Sequence, residues 1–335
     1  MSDDATVHLF YIRSGFEYFF SLQLIEHLGL DDVLFVMSDP REGIERRASQ
    51  RYRVIHGRRG RLTKLLGKKI GKLLFARRVL REGALTGKRI ALYSPVYNET
   101  CVFALRDGME RAGSEVHCFL IPDGAALLRH LPRKEKPPGL LVRWLNRRYR
   151  AEPADRRHTS GSYSPFIEKV YHFPAKKIHA EAAKIEIVPV PTSDRGHNGE
   201  VLVVGALGGV TRAFVRAAVE VAGGSPVRFR MHPRNRDGLE FIREEAPGWK
   251  ELASLDGSLE EHMLAHPYRV VLGSYSTALM FNHLFVAASQ SMFLIDAEGE
   301  DPDWRETAEA CEIPIRDIED AASRGGEARE RAAAT

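Results

Sequence analysis

Three short stretches of the 335-residue chain hold residue types that can do chemistry at positions where folded chains keep ligands. Asp123, in Phe119-Leu120-Ile121-Pro122-Asp123-Gly124, closes an apolar run and precedes a glycine. Open parallel sheets collect ligands at the carboxyl ends of their strands, and a carboxylate there can take a proton from a hydroxyl. Asp-Gly after a strand is more often just a turn, since both residues tolerate tight backbone geometry. His232, in Val227-Arg228-Phe229-Arg230-Met231-His232-Pro233, ends a second apolar run, with Pro233 fixing the exit. Its imidazole can donate to a phosphate or act as an acid near neutrality, although an isolated His-Pro is more often structural. Gly273-Ser274-Tyr275-Ser276-Thr277 opens a helix-period segment. Hydroxyls at a helix start cap free backbone N–H groups, and the same amides attract phosphate, so Ser276 and Thr277 are caps, phosphate ligands or both. Gly205, Gly208 and Gly209 close another strand-to-helix turn. They make no GxGxxG and have no acidic ribose partner at the dinucleotide spacing, so they read as close packing.

The elements that must position these residues alternate regularly. Strand-like runs at Val7–Ile12, Val33–Met37, Arg89–Tyr93 and Glu115–Ile121 are interleaved with helix-period segments at 16–28 and about 98–112. Residues 132–165 interrupt the rhythm, and the Pro-containing polar stretch 186–200 reads as a linker. Strands at 200–204, 227–231, 269–272 and 292–295 then alternate with helices at 211–221, 258–265 and 276–287. The alternation predicts two doubly wound α/β domains, 1–190 and 191–322, with a frayed tail at 323–335.

Composition excludes several classes. With 44% hydrophobic and 28% charged residues the chain is neither disordered nor fibrous. Cys101, Cys118 and Cys311 form neither a disulfide framework nor a CxxC site, which suits a reducing compartment. The acidic start and the lack of a long apolar run point to the cytoplasm. No HExxH, GxSxG or P-loop occurs, and Asp301-Pro302-Asp303 only superficially fits a DxD metal pattern in an acidic loop, so no metal is assigned. The net charge is +4, but residues 58–81 carry ten Lys or Arg and no acid. There Leu62, Leu65, Leu66, Ile70, Leu73 and Leu74 recur at helical spacing opposite a basic face that includes Arg58, Arg59, Lys64, Lys68, Lys69, Lys72 and Arg77. A second basic cluster at 133–157 includes Arg147 and Arg148. Such a helix faces a polyanion or anionic lipid, or simply packs its stripe on the core. A nucleic-acid partner finds no supporting module.

Taken together, Pro122-Asp123-Gly124, His232-Pro233, Glu260 and Ser276-Thr277 resemble, in order and spacing, the motifs of bacterial lipooligosaccharide sialyltransferases and capsule polysialyltransferases. The stretch Val7–Phe16, with Ser14, is similar to that family's first strand and donor-approaching turn, and Asn98 stands where these enzymes keep a polar donor contact. The resemblance implies a GT-B fold, two Rossmann-like domains facing a central cleft, with the acceptor on the first domain and a CMP-sugar on the second. It implies an inverting transfer of sialic acid or a related nonulosonic acid to a capsule or lipooligosaccharide glycan, with no cofactor and no metal. Asp123 would be the base, His232 a donor to the departing phosphate, and Ser276 and Thr277 phosphate ligands. Glu260 would accept from the ribose, with Pro233, Ser274 and Gly205 lining the donor side. The basic residues would meet an anionic acceptor or the inner face of the membrane. Pro122 departs from the pattern, replacing its first acidic residue and leaving Asp123 the sole carboxylate of that motif. Two rival readings remain open: a glycosyltransferase or epimerase using a UDP- or GDP-sugar, and a non-catalytic membrane-docked scaffold.

Overall fold

The computed structural model describes residues 6–38, 42–57, 68–97, 99–129, 144, 147–148, 158, 160–190, 195–206, 208–232, 235–255, 257–274, 276–296 and 302–318. The chain divides into two units, one holding Met1–Val190 with residues 256–258 and the other Pro191–Leu255 and Leu259–Thr335. Residues 256–258, expected in the second domain, thus group with the first.

In the first unit β1 (Val7–Ile12), α1 (Gly15–Leu28), β2 (Val33–Met37), α2 (Glu42–Arg51), β3 (Arg53–His56), α3 (Lys68–Glu82), β4 (Arg89–Ser94), α4 (Thr100–Arg111), β5 (Glu115–Leu120), β6 (Ile167–His172) and β7 (Ile185–Ile187) follow in sequence. The strands lie in the order β3-β2-β1-β4-β5-β6-β7, and every neighbouring pair is parallel. Helical crossovers cover both faces of such a sheet, so its central strands must be apolar throughout rather than alternating, and β2 is buried at every position. Rings line one face: Phe10 stacks on Tyr93 with centroids 4.3 Å apart, and Tyr93 on Phe119 at 5.0 Å. On the other, Leu9, Tyr11, Leu34, Leu92 and Leu120 join Val79 of α3 and Leu105 of α4 in one core cluster. Gly108 lets α3 approach α4, since a Cβ there would lie 2.2 Å from Leu80 Cδ1.

Of the predicted leucine stripe only Leu73 and Leu74 have described side chains on α3, and of these Leu73 faces the core and Leu74 does not. Ala76 and Val79 are buried, Leu73, Phe75 and Leu80 are partly buried against the core, and Leu74 is 43% exposed. Its described part is therefore a core-covering helix. The strand β7, paired to β6 with Val170 opposite Ile185, occupies the first residues of the expected linker. Arg58, Arg59, Lys64, Asn98, Pro233 and the tail at 323–335 lie outside the described residues, as do the side chains of Lys68 and Lys69 on α3.

The second unit repeats the plan with β8 (Val201–Val204), α5 (Arg212–Ala222), β9 (Val227–Arg230), α6 (Leu239–Glu245), β10 (Lys250–Glu251), α7 (Leu259–Ala265), β11 (Val270–Gly273), α8 (Thr277–Phe285), β12 (Gln290–Asp296), α9 (Pro302–Cys311) and β13 (Ile315–Ile318). Its parallel order is β10-β9-β8-β11-β12-β13. Pro302, in the acidic triplet, starts α9, where a proline's missing N–H is harmless. In each sheet the strand order reverses once beside the first strand, between β1 and β4 and between β8 and β11, and that reversal opens the crevice where ligands enter such sheets. The three cysteines are free and buried. Among the described residues no helix is long and apolar enough to cross a membrane.

Candidate functional site

At the reversal in the first sheet the chain leaves β1 at Arg13 and Ser14. Ser14 caps α1 in a capping box: its Oγ accepts from the Glu17 N–H at 3.2 Å, and the Glu17 carboxylate accepts from the N–H groups of Arg13 and, at 3.1 Å, of Ser14. That box fixes Arg13, whose guanidinium then meets three carboxylates. Its Nη2 is 3.1 Å from Glu17 Oε1 and 2.7 Å from Asp123 Oδ2, and its Nη1 is 3.4 Å from Glu99 Oε2. Glu99 immediately precedes α4, past the end of β4, and also accepts from Lys72 and from the Tyr11 hydroxyl at 3.2 Å. Asp123 follows β5. Three strand exits and the start of α4 are thereby joined through one arginine.

Burial pushes the Glu17 carboxyl above the ordinary carboxylate range; Arg13 pulls it back down and the nearby Asp123 charge adds to the rise. Burial works against the Arg13 charge, but Glu17, Asp123 and Glu99 more than offset it and hold the guanidinium protonated. The Cys101 thiol close by is pushed up to about 12, by burial first and Glu99 second, which excludes a thiolate there. Asp123 keeps about a third of its side chain exposed, against 1% for Glu17, so of these two acids Asp123 can meet a substrate.

In the second unit Gly205, His232 and Ser274 follow β8, β9 and β11 at the carboxyl edge of the sheet, and Ser276 and Thr277 open α8 beyond β11. Gly205 donates its N–H to the Arg230 carbonyl at 2.9 Å, and a Cβ on it would stand 3.2 Å from Met231 Sδ, so a larger residue would press on the turn carrying His232. The His232 carbonyl accepts from the Asn235 N–H at 3.0 Å. Gly209 and Gly238, both at positive φ, bring two loops into contact, with the Val210 N–H donating to the Asp237 carbonyl at 3.1 Å. Ser276 caps α8, its Oγ accepting from the Ala278 N–H at 3.3 Å, so the capping role read from the sequence is real. Glu260 is buried in the first turn of α7, the end of a crossover helix that starts where the strands finish.

Of the residues assigned to polyanion binding, Lys72, Arg77, Arg147 and Arg148 are described. Lys72 pairs with Glu99 while its side chain stays partly exposed. Arg77 is exposed on α3, and Arg147 and Arg148 are exposed apart from any described sheet. The sequence reading missed Arg13, Glu17 and Glu99. Ser14-x-x-Glu17 is the capping-box signature, and it was visible; nothing in the spacing ties Glu99 to Arg13, because only the strand order brings them together. Among the described residues no group of three or more His, Cys, Asp or Glu is arranged to hold a metal ion.

No family model and no curated protein sequence matches the chain. Solved structures do match. An α/β-galactoside α-2,3-sialyltransferase from Photobacterium phosphoreum superposes with a TM-score of 0.61 at 11% identity, covering 93% of this chain and 99% of that one. A 2,6-sialyltransferase from Photobacterium sp. JT-ISH-224, solved with CMP and lactose, gives 0.56 at 9% identity over 92% and 78%. The GT-B domain of a Photobacterium damselae sialyltransferase gives 0.50 at 10% identity over 91% and 95%. These likenesses define the fold: two parallel Rossmann-like sheets with interleaved helices, of the GT-B type.

Proposed function

We propose that the protein is an inverting glycosyltransferase that moves sialic acid, or a related nonulosonic acid, from a CMP-activated donor to a glycan acceptor. The observation that carries this reading is the position of Asp123, a partly exposed carboxylate at the exit of β5, one strand from the crevice of the first sheet. The placing of His232 and Ser276 at the equivalent edge of the second sheet supports it, as does the likeness of fold to sialyltransferases. In one of these a CMP and a lactose are bound.

On this reading Asp123 takes the proton from an acceptor hydroxyl, which attacks the anomeric carbon in line while the bond to CMP breaks, inverting the configuration. His232 donates to the phosphate as its charge grows, and Ser276, Thr277 and the first amides of α8 hold that phosphate. Ser274 and Gly205 border it, and Glu260 accepts from the ribose hydroxyls. CMP leaves as a monophosphate ester whose charge these groups can meet, so the proposed mechanism uses no metal. Arg77, Arg147 and Arg148 would attract an anionic acceptor or an anionic membrane surface.

The test is calorimetric titration with CMP, UDP, GDP and ADP, followed by incubation with CMP-sialic acid and measurement of CMP release. Selective CMP binding with slow donor hydrolysis is expected. Preference for UDP or GDP would move the protein to another nucleotide-sugar class, and liposome binding without nucleotide binding would favour a scaffold.

A further inference from the structure

Asp123 does not stand alone: its carboxylate is tied to a guanidinium that two other carboxylates also claim, one of them further held by a lysine and a tyrosine. We infer that Arg13 is the positioning residue for Asp123, and that Glu99 and Lys72, acting through Arg13, set how strongly Asp123 accepts a proton. This rests on the function proposed above.

An arginine paired with one carboxylate orients it but makes it a poorer proton acceptor, because the positive charge favours the ionised form. Here that charge is divided. The bond from Nη2 to Asp123 Oδ2 fixes the orientation, while Nε and Nη2 also bond the buried Glu17 carboxyl and Nη1 serves the Glu99 carboxylate, so Asp123 shares the guanidinium with Glu99. Lys72 offsets part of the Glu99 charge and so acts in the opposite sense. The geometry of Glu99 carries the same message. It occupies the N-cap of α4, a position where Ser, Thr, Asp or Asn normally bonds the free amides, yet its side chain makes no cap bond. The helix forgoes that stabilisation while the carboxylate serves Arg13, Lys72 and Tyr11. The charged and titratable groups described around Asp123 and Arg13 are Tyr11 from β1, Glu17 from α1, Lys72 from α3, and Glu99 and Cys101 at the start of α4.

The inference makes paired predictions of opposite sign. Glu99→Gln leaves more of the Arg13 charge on Asp123. The acidic limb of the kcat–pH profile should move down by roughly half to one unit and the plateau fall about threefold to tenfold, with the donor KM unchanged. Lys72→Gln should move the same limb upward. Arg13→Gln strands the buried Glu17 carboxylate and endangers folding, so Arg13→Lys, which keeps the charge and loses the fork, serves as the third variant. Its kcat should fall about tenfold while the limb moves little. Thermal unfolding of all three monitors the fold. Opposite displacement of the two limbs supports the inference, whereas unmoved limbs, or limbs moving together, in well-folded variants overturn it alone. A wild-type protein that turns over no CMP-sugar overturns the proposed function and this inference with it.

Discussion

Arg13 Nη2 lies 2.7 Å from Asp123 Oδ2, so the exit of the central strand β1 is bonded to the exit of β5, two strands away in the sheet. That bond makes the first unit's candidate base part of the sheet's frame rather than a free loop carboxylate, and it shapes what substitutions at the site should do.

Asp123→Ala is expected to abolish transfer and leave CMP affinity nearly intact, because the residue belongs to the first unit and the donor phosphate is assigned to the second. Calorimetry with CMP beside a transfer assay checks this. Full activity in the variant would remove Asp123 from the mechanism.

His232→Ala should lower both CMP affinity and transfer. Ser276→Ala should do the same and also cost about 1 kcal/mol of stability, since it removes the bond from Ser276 Oγ to the Ala278 N–H. Denaturant unfolding separates the two effects: a stability loss with unchanged CMP binding would leave Ser276 as a cap alone.

Gly238→Ala should destabilise the second unit by roughly 3 kcal/mol or more, because Gly238 sits at φ +86° and a Cβ would lie 2.0 Å from the Val210 carbonyl oxygen. Unfolding in urea is the measurement. An unchanged midpoint would mean that the loop carrying Val210 can move away from its present contact.

His172 is fully buried, and burial lowers its pKa to about 4 from an ordinary 6.5; its Nδ1 donates to the Phe173 carbonyl at 2.7 Å while Nε2 has no partner. The unfolded chain therefore binds the proton first. Stability is complete above about 6.5 and falls as the pH drops toward 4, by about 3 kcal/mol in all. His172→Phe should flatten that part of the stability–pH curve, and an equally steep curve in the variant would assign the acid sensitivity elsewhere.

Much of the layout was legible because β1, β2 and β4 are largely apolar runs separated by helices, which is how parallel strands buried on both faces must read. The edge strands were not. β3 (Arg53–His56) and β13 (Ile315–Ile318) are short and half-exposed with charged residues in them, and β7 hides between prolines and a polar stretch. On α3 the leucine spacing caught Leu73 but not Ala76 and Val79, which are buried, nor Leu80, which meets Gly108 of α4. The placement of Asp123 and His232 after strands, and of Ser276 at a helix start, was legible because each ends or follows an apolar run. The Arg13 junction was not, because Glu99 lies 86 positions from Arg13 and Asp123 lies further along still, and they meet only once the sheet is assembled.

The strand orders have a consequence for how the chain is made. In each sheet the first strand synthesised, β1 or β8, ends up in the interior, the next two add outward on one side, and the later ones add outward on the other. Each new strand leaving the ribosome thus meets an open edge already formed by its predecessors, and no finished pairing has to be broken to admit it. Assembly can keep pace with translation, one crossover at a time, in an all-parallel architecture whose distant pairings would otherwise make it slow to fold.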